Sequence, residues 1–294
     1  MADADVALTA FDRDTAVREL SRAGDDGRGG GQTLFAVEIS PDWRAGRGPH
    51  GGYLAAMMLR AIVQAVDDPT RAPRSLTIHY ARAPQPAAAT IAVTLERAGR
   101  SLSTLSARLE QDGALVALAL AAFSVPWRAP DAAELQMPDV APPDDVRRSG
   151  VPLFQGAPAF TRHLVLQPRI GAIPFTGSSE PMEIGAWLGL SEPRPIDALS
   201  LALFSDSLFS PPFIRMREAA TSPTVDLTIH FRKTLSPGAS SDGDPLVFAR
   251  FHTGVIDEGF FEEDGVIWAA DGSVLAQSRQ LAILMPLRST SVGQ

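Results

Sequence analysis

The chain has 294 residues, of which 45% are hydrophobic and 20% are charged, a composition typical of folded proteins that excludes global disorder. Its net charge of -8 argues against a general binder of nucleic acids or anionic membranes. The absence of cysteine excludes disulfides, thiolate zinc sites, iron–sulfur clusters and a cysteine nucleophile. The longest apolar stretch, residues 114–125, is shorter than the ~20 residues that span a bilayer. Because the acidic N-terminus also lacks the apolar segment of a secretory signal, we expect a cytoplasmic protein without a membrane span.

The sequence contains an internal repeat. Residues 75–80 read SLTIHY and residues 226–231 read DLTIHF, at an offset of 151 residues. Later in each half an Asp-Gly pair precedes an apolar run, at 112–113 and at 271–272, which is an offset of 159. Two ordered matches at nearly the same offset predict two copies of one domain. The predicted parts are a lead-in at 1–32, an N-terminal domain at 33–126, a linker at 127–158 and a C-terminal domain at 159–294.

Each copy has the same predicted order of elements, with strands that alternate apolar and polar side chains. The lead-in is predicted to be a short helix and a flexible stretch, and the linker is too rich in proline to continue a helix or a central strand. The first copy has strands at 33–40, 74–82, 88–97, 101–111 and 114–125 and a helix at 51–66. The second copy has strands at 160–167, 182–190, 223–233, 245–254, 262–269 and 273–285 and a helix at 196–209.

Both predicted helices are apolar on most of their surface. A helix without a polar face is enclosed by the rest of the fold. One buried helix inside a strongly curved antiparallel sheet is the hot-dog arrangement. The predicted fold is therefore α+β, a double hot dog in which two curved antiparallel sheets each wrap around a buried helix. A pair of α+β sandwiches and a split barrel are the alternatives.

The two copies differ in polarity at three matched positions. The second copy has Asp206, Thr224 and Gln280 where the first copy has Ala55, Pro73 and Ala121. A carboxylate inside an apolar helix is costly to bury unless it is held by partners or kept for chemistry, which makes Asp206 a candidate functional residue. Asp197, at the start of the same helix, is expected to be only a cap. Thr224 shares the parity of the polar side chains of its strand, so it meets Asp206 only where the chain bends.

The second copy resembles the bacterial acyl-CoA thioesterase II family of double hot-dog hydrolases. It has that family's Ser-Asp pair at 205–206 and a strand of the form T-[IV]-D-x-[ST] at 224–228. The Asp-Gly pair at 271–272 then leads to Gln280, and GPHGGYLAA at 48–56 resembles the Gly-Gly entry to the family's first helix. The ordered combination is specific, although no single motif is.

The resemblance implies that Asp206, Thr224 and Gln280 are the catalytic set, and that a water activated by Asp206 hydrolyses an acyl-CoA thioester to free acid and coenzyme A. Because the chain has neither a cysteine nor a G-x-S-x-G elbow, water is the natural nucleophile. Relatives often carry Glu-Gly where this chain has Leu281-Ala282, so Gln277 stays an alternative to Gln280.

Further residues are candidates for substrate binding. Gly51 and Gly52 allow backbone N–H groups to approach a developing oxyanion, and His50 beside them is a substrate-binding candidate or an alternative base. The five histidines form no i, i+4 pair, so we expect no metal, and we expect no cofactor because coenzyme A is part of the substrate. Candidates for the phosphates of coenzyme A are Arg44, Arg47, Arg215 and Arg217. Open sheet edges predict a homo-oligomer.

Two other functions stay open at this point. One is a non-catalytic module of the same fold that binds acyl-CoA or lipid. The other is a hot-dog hydratase or dehydratase, which uses a catalytic histidine near an acidic residue in a loop-and-helix segment that we do not find in this sequence. Hydrolysis of acyl-CoA would place the protein in fatty acid metabolism. Loss of thioester hydrolysis when Asp206 is replaced would distinguish this function from the binding module.

Overall fold

The computed structural model describes residues 8–24, 30–46, 48–144, 157–235 and 246–287. Strands make up most of it. The main strands of the first half are β1 (Val17–Ala23), β2 (Gln32–Glu38), β3 (Ala72–Tyr80), β4 (Ala88–Ala98), β5 (Leu102–Gln111) and β6 (Ala114–Ser124). Those of the second half are β7 (Leu164–Ile170), β8 (Glu183–Leu190), β9 (Thr224–Phe231), β10 (Val247–His252), β11 (Phe260–Trp268) and β12 (Val274–Ile283). The α-helices are α1 (Ala10–Asp14), α2 (Gly51–Val66) and α3 (Ala198–Phe204).

One antiparallel sheet of 13 strands runs through both halves. Its order is β1-β2-β4-β5-β6-β3-β9-β12-β11-β10-β8-β7, and the short strand Ile256–Asp257 pairs with β11. Outward from the central pair of β3 and β9, the first half reads β3-β6-β5-β4-β2-β1 and the second half reads β9-β12-β11-β10-β8-β7. These are corresponding strands in the same order, as a duplicated domain produces. The predicted antiparallel architecture is confirmed, but the two predicted sheets are joined into one. The reason is that β3 and β9 hydrogen-bond to each other, so neither leaves an unpaired edge in the middle of the molecule.

The centre of the sheet has a local twofold relation. Strands β3 and β9 pair with Thr77 opposite Thr228, which are the two residues that the offset of 151 equates. The hydroxyl oxygens of these threonines are 3.1 Å apart. Because each threonine faces its own repeat mate, the segments at 75–80 and 226–231 occupy equivalent positions in the sheet, as the repeat predicts.

Helix α2 is enclosed along most of its length. All residues from Gly52 to Leu59 are buried, and the helix packs against α3 and against strands β1, β3, β4 and β5. This matches the predicted first helix at 51–66. Within the described residues, every helix is too short or too polar to cross a bilayer.

Helix α3 is shorter than the predicted helix at 196–209. Asp197 caps it in a capping box with Ser200, so the expectation that Asp197 is a cap is confirmed. At the other end the backbone N–H groups of Asp206 and Ser207 bond three residues back, which tightens the last turn and ends the helix. Asp206 therefore lies just beyond α3, and the prediction that it lies within a helix was wrong.

The N-terminal segment contributes more structure than the predicted helix and flexible stretch. After α1, strand β1 pairs with β2 at one edge of the sheet. Most of β1 is exposed, and its sequence VRELSRA carries charges of both signs. Charged, exposed sequence is typical of edge strands, and it hides the apolar alternation that would have predicted this strand.

The proline-rich segment at 126–144 forms neither helix nor strand and packs on the second half of the sheet. Trp187 Nε1 donates a hydrogen bond of 2.9 Å to the carbonyl of Ala141, and Met137 and Val140 pack against the cluster of Trp187, Phe248 and Trp268. Trp187 lies next to Leu188, which belongs to the main core, so this cluster is on the opposite face of the sheet. The rest of the predicted linker, 145–156, lies outside the described residues.

Candidate active site

Asp206 lies where the end of α3 meets the start of α2. Its Oδ2 accepts a hydrogen bond of 2.9 Å from the backbone N–H of Gly52. The first N–H groups of a helix have no partner within the helix, and the helix dipole is positive there, so this position favours a carboxylate. The Asp206 side chain keeps 16% of its surface exposed, so the site is not fully closed to solvent.

The Gly-Gly pair allows α2 to approach Asp206 this closely. A Cβ at Gly51 would lie 2.8 Å from Asp206 Oδ2, and a Cβ at Gly52 would lie 2.4 Å from the carbonyl oxygen of Leu203. Neither position has room for a Cβ atom. The N–H groups of both glycines act on the Asp206 carboxylate here. They therefore differ from the predicted open oxyanion donors, although they lie at the same site.

His50 also belongs to this site, and both of its ring nitrogens have partners. Nδ1 accepts a hydrogen bond of 3.2 Å from the N–H of Tyr53 and so caps α2, while Nε2 donates to the backbone carbonyl of Asp206 at 2.6 Å. The ring stacks on Phe160 with 4.0 Å between centroids. With both nitrogens engaged, His50 holds the backbone at Asp206 in place, and this geometry does not support its alternative assignment as a base.

The surroundings of Asp206 make its carboxylate more basic than that of an exposed aspartate. Burial raises the pKa of Asp206, while His50 and the N–H groups of Gly52 and Gly51 act against that shift. Tyr80 lies beside the same glycine as Asp206 and donates a hydrogen bond of 2.8 Å to the Gly51 carbonyl. Burial and the Asp206 charge raise the pKa of Tyr80 well above its usual value, so it stays a neutral phenol. Sequence reasoning missed Tyr80, although its inward parity in β3 would have been the signal.

Thr224 and Gln280 are joined by a direct hydrogen bond, with Thr224 Oγ1 donating to Gln280 Oε1 at 3.0 Å. A β-bulge between Thr224 and Asp226 shifts the register, so that Thr224 lies opposite Ala282. Ala282 and Gln280 are two residues apart on β12 and therefore point to the same face. The bulge thus turns Thr224 away from the parity of the other polar residues of its strand and towards Gln280.

Gln280 and Gln277 lie on opposite faces of β12. Gln280 is 4% exposed and points to the core. Gln277 points to the surface, where its Oε1 accepts a hydrogen bond of 2.6 Å from Arg232 Nε. Only Gln280 contacts Thr224, so the geometry favours Gln280 over the alternative Gln277 as the member of this site.

A third polar residue of this group, Glu263, is buried and was missed from the sequence. It lies directly opposite Gln280 in the register of β11 and β12, and its Oε1 accepts a hydrogen bond of 2.7 Å from Gln280 Nε2. Burial and the charge of Asp206 raise the pKa of Glu263 well above its usual value. The available signal was again parity, since Glu263 shares the inward face of β11 with Phe261 and Ile267.

Asp206 approaches the Thr224–Gln280 pair through Glu263. Across the described ranges Asp206 makes no direct hydrogen bond with Thr224 or Gln280. It is nevertheless close enough to Glu263 for its charge to act on that carboxyl, which in turn contacts Gln280. A water shared by Asp206, Thr224 and Gln280 stays a prediction.

The first half has apolar residues where the second half has this polar group. Both halves have the same bulge in the same place, so Pro73 takes the position of Thr224, and Ala121 takes that of Gln280. Leu105 faces Ala121 as Glu263 faces Gln280. The twofold-related position therefore lacks the polar groups. Ala55 lies inside α2 and is not the equivalent of Asp206, because the shorter α3 ends before it.

The structure describes three of the four arginines expected to contact coenzyme A. Arg44, Arg215 and Arg217 are exposed, and Arg44 pairs through its backbone with Pro49, beside His50. Arg47 lies outside the described residues. No group of three or more potential metal ligands occurs within the portion of the chain that the structure describes.

The raised pKa of Glu263 predicts a pH-dependent effect of Glu263→Gln on stability. Above a pH of about 4.5 the unfolded chain releases this proton while the folded chain keeps it, so the wild-type free energy of unfolding falls as pH rises, by at most about 1.4 kcal/mol per pH unit. Glutamine cannot ionise, so the stability gained by Glu263→Gln should grow from pH 4 to pH 7 in urea denaturation. Exposed Glu134→Gln is the control, and a gap independent of pH would contradict the prediction.

Two family models match the chain. The acyl-CoA thioesterase N-terminal domain matches residues 39–124, and the acyl-CoA thioesterase C-terminal domain matches residues 136–284. The second match begins inside the segment that the sequence predicts to be a linker, where residues 137–144 pack on the second half of the sheet.

Similar proteins have been found by sequence and by structure. An uncharacterized protein of Mycobacterium tuberculosis is 25% identical over 281 residues, which cover 85% of this chain and 91% of that protein. A protein of unknown function with a hot dog fold from Alicyclobacillus acidocaldarius has a TM-score of 0.80 and 25% identity, covering 96% of this chain and 100% of that one. An acyl-CoA thioesterase II from Mycobacterium marinum has a TM-score of 0.70 and 17% identity, covering 95% and 99%. The fold of this chain is thus shared with hot-dog proteins, and, because the two family models cover more than half of its length, the chain belongs to the acyl-CoA thioesterase family.

Proposed function

We propose that this protein hydrolyses acyl-CoA thioesters to a free carboxylic acid and coenzyme A, with Asp206 as the general base. The observation that carries the proposal is a carboxylate of raised pKa, on a partly exposed side chain, whose charge acts on a Thr–Gln–Glu series. That series is present in one half of the duplicated fold and replaced by apolar residues in the other. Membership of the acyl-CoA thioesterase family supports the substrate class.

In the proposed reaction a water oxygen attacks the thioester carbonyl carbon while Asp206 takes one proton from that water. The carbonyl oxygen becomes the oxyanion of a tetrahedral intermediate. When this intermediate collapses, the C–S bond breaks, the acid forms, and the proton on Asp206 passes to the departing sulfur. The carboxylate is restored and no covalent enzyme intermediate is needed.

Thr224 and Gln280 are proposed to orient the water and stabilise the oxyanion. The Gln280 amide uses its oxygen for Thr224 and one N–H for Glu263, so its second N–H is available as a donor. The Thr224 hydroxyl donates to Gln280 and keeps its lone pairs for a donor such as water. Because the N–H groups of Gly51 and Gly52 are directed at Asp206, the Gln280 N–H is the preferred oxyanion donor.

Thr224→Val is expected to reduce kcat by about tenfold, since it removes an orienting hydrogen bond. Gln280→Ala is expected to reduce kcat by about 10²-fold, since it removes the proposed oxyanion donor, and both variants leave the base in place. The matched controls are Thr228→Val, whose hydroxyl bonds to Thr77 at the centre of the sheet, and Gln277→Ala on the surface face of β12. Steady-state kinetics on one acyl-CoA measures all four variants. Equal losses in a variant and its control would remove that residue from the site.

A thiol-release assay over acyl-CoAs of increasing chain length tests the function itself. Hydrolysis releases one free thiol per acid formed. A non-catalytic binding module would bind acyl-CoA without releasing thiol, and a hydratase or dehydratase would convert enoyl-CoA substrates with the thioester intact. Either result would replace the proposed function.

The finer architectural expectations are retained as proposals. They are a division into units at 33–126 and 159–294, each with its half of the common sheet curved around its helix, and assembly of the chain into a homo-oligomer. The enclosed α2 and the mirrored strand order support the first of these. Exposed Arg44, Arg215 and Arg217 are the proposed contacts to the phosphates of coenzyme A.

A further inference from the structure

A hydrogen-bonded series of three side chains, buried at Gln280 and Glu263 and partly exposed at Thr224, crosses three neighbouring strands. Thr224 on β9 donates to Gln280 Oε1 on β12, and Gln280 Nε2 donates to Glu263 Oε1 on β11 at 2.7 Å. Glu263 is 3% exposed. Its second oxygen, Oε2, is buried with no hydrogen-bond partner in the described part of the chain. Buried polar atoms in proteins nearly always have a partner, so a carboxyl kept in this state requires a functional explanation.

Thr224 and Glu263, at the two ends of this hydrogen-bonded series, differ in which group of the Gln280 amide they can bind. The Thr224 hydroxyl can donate or accept, so it fits either the oxygen or the NH₂ group. An unprotonated carboxyl oxygen only accepts, so Glu263 Oε1 requires the NH₂ group. We propose that Glu263 is a positioning residue that fixes the orientation of the Gln280 amide and thereby aims its free N–H at the reacting carbonyl. Its role in hydrolysis rests on the function proposed above.

A reversed amide would be wrong for the reaction. It would place the amide oxygen against Glu263 and move the free N–H towards Thr224, away from its present direction. An oxyanion donor contributes to catalysis only when it is already directed at the position where charge develops. Glu263 therefore acts on the reaction through Gln280 rather than by contacting the substrate.

The electrostatics of Glu263 are compatible with this role. Burial and the charge of Asp206 favour the protonated form of its carboxyl. The positioning role requires that proton to lie on the unpartnered Oε2, because a proton on Oε1 would make Glu263 a donor and would fit the reversed amide instead. Because its side chain is buried and its Oε1 is bound by Gln280, Glu263 holds the amide without competing with Asp206 as a base.

Glu263→Leu and Glu263→Gln test the proposal. Leucine occupies the equivalent position in the first half, as Leu105, so this shape fits the sheet. We expect Glu263→Leu to lower kcat about tenfold with KM nearly unchanged. Glu263→Gln retains an acceptor oxygen and should lose less. In a Gln280→Ala background, Glu263→Leu should have no further effect, because the residue through which it acts is gone. Additive losses in the double variant would overturn the positioning role.

A second readout does not depend on hydrolysis. The side-chain ¹⁵N–¹H signals of Gln280 can be assigned by their loss in Gln280→Ala. They should shift in Glu263→Leu and shift less in Glu263→Gln. If the leucine variant does not fold, Glu263→Gln alone is compared with the wild type. Unmoved Gln280 signals would overturn the inference. A wild-type protein that releases no thiol would instead remove the proposed function, while shifted signals would still show that Glu263 holds the NH₂ group of Gln280.

Discussion

Asp206→Asn is expected to lower kcat by about 10²–10⁴-fold, the usual effect of removing a general base. Asparagine has the same size, and its carbonyl oxygen can still accept the N–H of Gly52, so the position of the side chain is preserved. What is lost is the ability to take a proton from water. KM should change little, since binding of the acyl-CoA does not require a basic group at this position.

The stability of Asp206→Asn separates chemistry from folding. Because burial raises the pKa of Asp206, its ionised form is disfavoured in the folded state, and a neutral amide should leave the protein at least as stable at neutral pH. Asp197→Asn is the matched control, because Asp197 caps α3 and is not part of the proposed chemistry. Its kcat should match that of the wild type. Wild-type kcat in Asp206→Asn would refute the mechanism and favour the binding-module alternative.

Gly52→Ala is expected to lower kcat by about 10²-fold, through displacement of Asp206 rather than loss of a reacting group. The added Cβ would lie 2.4 Å from the carbonyl oxygen of Leu203 and 2.9 Å from Cε1 of His50, so α2 and α3 must separate. That shift moves the N–H that binds Asp206. Overpacking at a rigid backbone contact should also lower the free energy of unfolding by about 1–3 kcal/mol.

Substitutions at two other glycines serve as a comparison and a control for Gly52→Ala. At Gly51 the added Cβ would meet Asp206 Oδ2 at 2.8 Å, so Gly51→Ala should reduce kcat with a smaller loss of stability, since a side chain yields more readily than a backbone carbonyl. At Gly24 an added Cβ would meet no atom within 4 Å, so Gly24→Ala is the control for the substitution itself. Kinetics and urea denaturation of the three variants check the order. A Gly52→Ala enzyme with wild-type kcat would show that the Asp206 position tolerates helix movement.

Several features of this protein follow from local sequence alone. The apolar residues of α2 predict an enclosed helix because a helix with no polar face must be buried on all sides. The alternation at 75–80 and 226–231 predicts strands, and their repetition predicts equivalent positions in the sheet, as Thr77 opposite Thr228 confirms. The resemblance to acyl-CoA thioesterases, carried by ordered short motifs, is likewise confirmed by the family models.

Other features depend on strand pairing, which local sequence does not specify. Glu263 and Gln280 are neighbours because β11 and β12 pair in one particular register, and a shift of one residue would turn either side chain to the other face. The bulge after Thr224 is visible only when β9 is aligned with β12. The single continuous sheet likewise depends on the pairing of β3 with β9, which are distant along the chain.

Asp206 depends on both local sequence and tertiary packing. Its sequence marks it as an unusual carboxylate among apolar residues, and burial does raise its pKa. Its position beyond the end of α3, against the first N–H groups of α2, was decided by the packing of two helices from different halves of the chain. Asp206, Thr224 and Gln280 could therefore be named as candidates from the sequence, whereas Glu263 and Tyr80 were missed. The mutual orientation of these residues could not be predicted, because hydrogen-bond geometry is set by partners that are distant along the chain and adjacent only after folding.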